Sequence, residues 1–301
     1  MRHAFSDPRH EAAFTLDGYV LVDLLDGGEV DRLLRAYEPF AALHEDEFTT
    51  SVLSDDAAAR RRIHEELSAV LAPRLAALLA DYRIAVASYA VKQADSEASS
   101  VGLHQDFAFV DERRARGISF WCPLVAVDEE NGYLGVARGS HVLNSNLREP
   151  CPLPYPELLE LIEEECMTYL PMRPGQALLM DNRLFHGSPS NRSDRARVVA
   201  AGIAVPCESA LLYCHRDLAG DDTVLEVYEV PADYYLRAEI GGRPSEGSLV
   251  ATVPRQVAEL SPERLRSLCS TTGAAGTATV PALPGIPATG DRPLGAALSE
   301  A

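Results

Sequence analysis

Apolar positions along this chain change period twice, and each change marks a different kind of element. Residues 15–25 (TLDGYVLVDLL) combine a turn at Asp17-Gly18 with a short β-branched strand, and apolar residues then recur at helical spacing from about Gly28 to Leu43. A second helical stretch covers about Ala57 to Tyr82, where Ile63, Leu67, Val70, Leu71, Leu75, Leu78 and Leu79 form one stripe of the kind that packs on a sheet. Pro73 is expected to kink or divide it. From about Ile84 to Pro206 the texture becomes short apolar runs (AVASYAVK, GISFWCPLVAV, GYLGVA, QALLMD, RVVAAGIAV) separated by the turn signals Asn131-Gly132, Pro174-Gly175 and His186-Gly187-Ser188-Pro189. Such spacing predicts a barrel or sandwich rather than alternating βαβ units. Pro154 to Glu165 reads as a helix or long loop inserted between strands. Residues 211–240 read as further strand and loop, and 262–268 (PERLRSL) as a last short helix. The pattern predicts one domain over 1–270 with its core at about 84–206, followed by a Gly/Ala/Thr/Pro-rich tail, 271–301, too poor in large apolar residues to fold.

Composition narrows the partners. The chain has 301 residues, 47% of them hydrophobic, enough for a sizeable core, and a formal charge of −18. That charge opposes attraction to phosphate backbones and anionic membranes, so nucleic acid and membrane partners are not expected. Neither an 18-residue apolar run nor a signal-type hydrophobic start is present, and a cytoplasmic location is expected. The six cysteines show no C-x-x-C pair or zinc spacing and read as reduced and mostly structural.

Candidate chemistry sits within the strand-like region. His104-Gln105-Asp106 is an H-x-D pair beside a β-like segment, where period-2 geometry puts both side chains on one face. His186 follows an apolar run at the start of a turn. Two histidines and one carboxylate on one face of an octahedral ion leave three positions open, the arrangement of non-haem Fe(II) oxygenases; two can chelate a 2-oxo acid and one can take O2. A fixed cation is then needed for the far carboxylate of 2-oxoglutarate, and arginine suits it. Arg197 opens the run RVVAAGIAV and is preferred to Arg195, two residues earlier on the same face, with Arg192 placed in the turn. A second H-x-D, His215-Arg216-Asp217, mimics a kinase catalytic loop but has Asp222 where that loop needs Asn, and no histidine follows it. It reads as structural or surface-exposed.

Together the segments LHQDFAFVDE, FWCPLVAVDEENGYLGVARGSH and GQALLMDNRLFHGSPSNRSDRARVV, spanning Tyr89 to Val205, resemble the phytanoyl-CoA dioxygenase family, and DGYVLVDLLDGGEVDRLL resembles its opening strand and helix. The resemblance implies a mainly β fold with flanking helices, a double-stranded β-helix of the jelly-roll, cupin-like kind. It implies iron at His104, Asp106 and His186, 2-oxoglutarate at Arg197 and Ser188 with a contact from Lys92, and Trp121 beside the co-substrate. The implied reaction converts 2-oxoglutarate and O2 to succinate and CO2 while oxidising an unactivated C–H bond, by hydroxylation or by desaturation or cyclisation. Related halogenases replace the carboxylate that Asp106 supplies here, so halogenation is not expected. A proline that often precedes G-S-H in the family is missing from VARGSH, which points to a changed substrate side. Phe107, Phe109, Arg138 and His141 are the candidate substrate contacts. The expected substrate is a natural-product intermediate or a free amino acid, with an acyl-CoA disfavoured by the acidic charge. Two alternatives stay open: an iron enzyme that does not use 2-oxoglutarate, and a non-catalytic barrel that binds a ligand or partner.

Overall fold

A computed structural model describes residues 2–143, 146–150, 155–218 and 220–271. The expected tail lies outside the described residues except for Thr271, which closes the last helix.

Helix α1 (Pro8–Asp17) was not predicted by the apolar pattern; its start is set by the Asp7 side chain accepting from the Arg9 N–H with Pro8 in the first turn, and its end by Gly18 at φ 84°. Strand β1 (Tyr19–Asp23) follows directly. Helix α2 (Gly27–Tyr37) opens on a reciprocal capping box between Asp26 and Glu29 and passes into a 3-10 segment, Glu38–His44, with Pro39 in its first turn, so the predicted helix to Leu43 is split there. After β2 (Phe48–Thr50) and a 3-10 turn at Ser51–Leu53, helix α3 runs Ala57–Ala76. Pro73 sits in its last turn and marks its end rather than dividing it.

The strands β3 (Tyr82–Lys92), β4 (Val101–His104), β5 (Ile118–Pro123) and β6 (Leu134–Ala137) come next. Within the predicted insert lie a 3-10 turn, Pro156–Leu158, and helix α4 (Leu159–Glu165). They are followed by β7 (Met167–Leu170), β8 (Gln176–Asp181), β9 (His186–Ser188) and β10 (Arg197–Pro206). A third group, β11 (Leu211–His215), β12 (Val224–Val230) and β13 (Ser248–Pro254), precedes α5 (Pro262–Thr271).

All pairings are antiparallel. One sheet has the order β1-β8-β5-β10-β3-β2 and the other β4-β9-β6-β7, while β11-β12-β13 forms a separate three-stranded sheet. The fold is a double-stranded β-helix with helices on one side, as the resemblance implied.

Period-2 alternation decides what reaches the interior. On the large sheet, Ala87, Tyr89 and Val91 of β3, Phe120 and Cys122 of β5, and Val198 and Ala200 of β10 bury against Phe14, Leu33, Ile63, Leu67 and Leu71 of the helices. The alternate residues of those strands, Ser88, Ala90, Ser119, Trp121, Arg197, Ala201 and Ile203, line a cavity of about 250 Å³ that runs between the two sheets.

Candidate metal centre and anion pocket

His104 and His186 are direct cross-strand partners of β4 and β9, with ring centroids 4.1 Å apart. The Nδ1 of His104 lies 2.8 Å from the Gly102 carbonyl and that of His186 lies 2.9 Å from the Leu184 carbonyl. A carbonyl can only accept, so each Nδ1 carries the proton and each Nε2 keeps a free lone pair. Desolvation, followed by the neighbouring His186, pushes His104 down to about 4, which keeps it a neutral ligand at physiological pH. Asp106 completes the group: one ligand atom from each of the three residues falls within 4.8 Å of the others. One expectation is corrected here. Strand β4 ends at His104, so Asp106 reaches the site from the irregular stretch after it, not from a shared strand face.

That stretch is held in place by its surroundings. The Ser119 hydroxyl contacts Asp106 Oδ2 and lies 2.9 Å from Asn182 Oδ1. Arg148 donates from Nε to the Asp106 carbonyl at 2.9 Å, and its Nη1 and Nη2 form a fork to the buried Glu112 carboxylate at 2.6 and 2.8 Å. Gln105 turns away from the centre, with its Nε2 donating to the Arg183 carbonyl.

A second feature of the cavity is cationic. Arg197 is 2% exposed, donates from Nη1 to the Gly132 carbonyl, and leaves its buried Nε without a partner among the described residues. Its guanidinium carbon stacks 5.3 Å from the centre of the Trp121 ring. Burial pushes the guanidinium down to about 9, so it is still charged at neutral pH. Lys92 is fully buried behind the wall, with Nζ donating to the carbonyls of Ser188, at 3.1 Å, and Pro189. Burial and then the charge of Arg197 hold it well below an ordinary lysine. Among the described residues no carboxylate pairs with either group, so the charge on Arg197 has an unfilled demand for an anion. Arg195, the competitor in sequence, precedes the strand and is 90% exposed beside Asp194.

Of the expected substrate contacts, Phe107 and Phe109 line the cavity, as do Ser188 and Trp121. Arg138 and His141 do not. Arg138 pairs with Asp17 at 2.7 Å, and His141 lies on Gly18, where an added Cβ would sit 2.5 Å from its Nδ1, with Nε2 3.2 Å from the Thr15 carbonyl. Both fasten α1 to the segment after β6. The groups that sequence reading missed, Ser119, Arg148 and Glu112, act across separations of 13 to 42 residues that leave no local pattern.

Comparison with known proteins adds the following. The profile of the family described as Phytanoyl-CoA dioxygenase (PhyH) matches residues 14–199, more than half of the chain. No curated protein matches in sequence. Among solved structures, the epimerase SnoN in complex with Fe3+, α-ketoglutarate and nogalamycin RO is similar at TM-score 0.53 and 20% identity, over 85% of this chain and 96% of its own. HygX from Streptomyces hygroscopicus, with nickel and 2-oxoglutarate bound, is similar at TM-score 0.50 and 18% identity, over 67% of this chain and 88% of its own. At these identities the likeness is one of fold.

Proposed function

The chain belongs to the phytanoyl-CoA dioxygenase family, and on that premise we propose that it is an Fe(II)- and 2-oxoglutarate-dependent oxygenase that hydroxylates an unactivated C–H bond of a small molecule. The observation that carries this reading is the pairing of two unlike features in one cavity: a two-histidine, one-carboxylate centre, and a buried arginine whose Nε lacks a partner. A simple metal-binding barrel needs the first and has no use for the second.

The residues present fit the groups. Neutral imidazoles with free Nε2 atoms and a carboxylate suit Fe(II), and such a donor set leaves positions open for a chelating 2-oxo acid and O2. When bound, iron and 2-oxoglutarate supply the oxidising power, with succinate and CO2 as co-products. Arg197 binds the distal carboxylate, for which its Nε and remaining N–H groups form a planar fork. Lys92 ties the backbone at Ser188 and Pro189 beside that carboxylate. Ser119 and Arg148 orient Asp106 through its carboxylate and its carbonyl. Trp121 and the apolar lining keep water from the reacting atoms.

The test is an anaerobic titration of the apo-protein with Fe(II) and 2-oxoglutarate, watching for the visible charge-transfer band of a chelated 2-oxo acid. We expect the band in wild type, none in His186→Ala, and a requirement for far more 2-oxoglutarate in Arg197→Ala. Iron binding with no band would sink the 2-oxoglutarate assignment and favour an iron enzyme indifferent to Arg197. No iron binding would favour a binding module.

A further inference from the structure

Among the described residues, the half of the cavity not taken by the metal ligands and Arg197 carries no formal charge. Phe107 and Phe109, directly after the ligand Asp106, stack at 4.4 Å between ring centres with an interplanar angle of 25°, and Tyr235 extends the aromatic group 4.6 Å from Phe109. Val52, Val86 and Ile203 add aliphatic surface to the lining. The polar groups named on this side are neutral: the Tyr235 hydroxyl is engaged with the Leu212 carbonyl, while Thr50 and Ser88 lie 3.3 Å apart, hydroxyl to hydroxyl, a single contact that leaves one O–H and lone pairs for a neutral ligand group. A ligand ammonium, carboxylate or phosphate placed here would be stripped of water with nothing to pair it.

Resting on the oxygenase reading above, we infer that the substrate is an uncharged, mainly hydrophobic molecule with a flat ring, recognised by the Phe107–Phe109–Tyr235 wall, and bearing at most hydroxyl or carbonyl groups for Thr50 and Ser88. The lining therefore selects against two of the substrate classes weighed from sequence. A free amino acid would bring two charges to an uncharged wall, and an acyl-CoA would bring several negative charges to a protein of net charge −18. An aromatic face beside the metal centre suits a ring system instead, because stacking fixes the plane of the ring and so which C–H bond is presented.

The experiment uses three naphthalenes that differ only in charge: 2-naphthylmethanol, 2-naphthylmethylammonium and 2-naphthoate. Binding is measured twice, by equilibrium dialysis against the Arg197→Leu apo-protein, whose anion-binding guanidinium is removed, and by paramagnetic relaxation of the probe protons in wild-type protein holding Mn(II) and saturating 2-oxoglutarate. The neutral alcohol should bind at least tenfold tighter than either charged analogue and relax rapidly beside Mn(II). Phe107→Ala should weaken it at least fivefold while 2-oxoglutarate binding is unchanged, which also shows that the variant is folded. Val52→Asp, a half-buried position on a 3-10 turn, should shift preference towards the ammonium analogue. The inference is overturned if a charged analogue binds as well as the alcohol, or if Phe107→Ala leaves alcohol binding unmoved. Dialysis needs neither metal nor 2-oxo acid, so a missing charge-transfer band would defeat the oxygenase reading without touching this result.

Discussion

Lys92 and Arg197 face each other as a registered pair across β3 and β10, a buried amine and a buried guanidinium on neighbouring strands with no carboxylate partner among the described residues. A guanidinium in a dry site gains from an anion that joins it, and the same anion favours the protonated form of Lys92, which burial and Arg197 otherwise oppose. The pair therefore links the stability of the fold to occupancy of the cavity.

The first prediction follows from that linkage. With Mn(II) in place of iron, 2-oxoglutarate at 100 times its Kd should stabilise the wild type by about 2.7 kcal/mol. For a chain of this size that is a Tm rise of roughly 5–10 °C. In Arg197→Leu the rise should vanish, whereas the ligand-free variant should melt at or above the wild-type Tm, since an incompletely paired buried charge has been removed. Differential scanning fluorimetry reads both. A ligand-free variant that melts far below wild type would make Arg197 a structural residue.

Ser119 provides the second. Its hydroxyl is the side-chain contact that fixes Asp106 Oδ2, so Ser119→Ala should weaken metal binding by roughly 10–100-fold, the usual effect of losing a group that orients a ligand. Titration of Mn(II) followed by electron paramagnetic resonance measures the affinity directly. An unchanged Kd would mean that the carboxylate is placed without Ser119.

How much of this was legible in sequence depends on the range of the interaction. His104 and His186 could be read because each sits in a short segment whose chemistry is unusual. Arg197 could be chosen over Arg195 only through the start of its strand, since both share a parity and the strand boundary alone makes one buried and the other exposed. Arg138 and His141 misled because nearness to a turn in sequence is not nearness to the cavity: the segment after β6 folds back on α1. Helix α1 was overlooked although Asp7-Pro8 is a start signal, because its apolar positions are too few to form a stripe. The edge strand β13 was overlooked because it is mostly exposed and lacks the alternation by which a buried strand is recognised. Nothing local marked Arg148 or Glu112, whose partnership spans 36 residues.

That partnership yields the third prediction, in which stability and metal binding come apart. Arg148→Met strands the buried Glu112 carboxylate and should cost roughly 3–5 kcal/mol. Adding Glu112→Gln removes the stranded charge and should restore much of the loss. The Asp106 carbonyl still lacks its donor in the double variant, so metal affinity should stay low even though the protein is stable again. Urea unfolding and metal titration of both single variants and the double variant complete the cycle. Full recovery of metal binding in the double variant would show that Arg148 acts on Asp106 through stability alone.

The last prediction concerns a residue that carries no side chain at all. Gly132 lies at φ +80°, and a Cβ there would come 2.3 Å from the Pro189 carbonyl oxygen and 3.1 Å from that of Ser190. Gly132 and Pro189 each hold one of the buried basic groups: the Gly132 carbonyl accepts from Arg197, and the Pro189 carbonyl accepts from Lys92. Gly132→Ala must therefore push the Pro189 segment away or shift its own turn, and either movement separates a basic group from its carbonyl. The left-handed conformation costs an alanine about 1–2 kcal/mol, and the forced backbone shift adds roughly 1–3 kcal/mol. We expect a loss of stability of about 2–5 kcal/mol together with weaker 2-oxoglutarate binding, although residue 132 offers the ligand no side chain. Gly27→Ala is the matched control: its Cβ would meet nothing within 4 Å, and it lies in the first turn of α2, so it should leave 2-oxoglutarate binding unchanged and stability equal or slightly higher. Urea unfolding with 2-oxoglutarate titration of both variants decides the matter, and wild-type behaviour in Gly132→Ala would mean that the turn does not control the anion pocket.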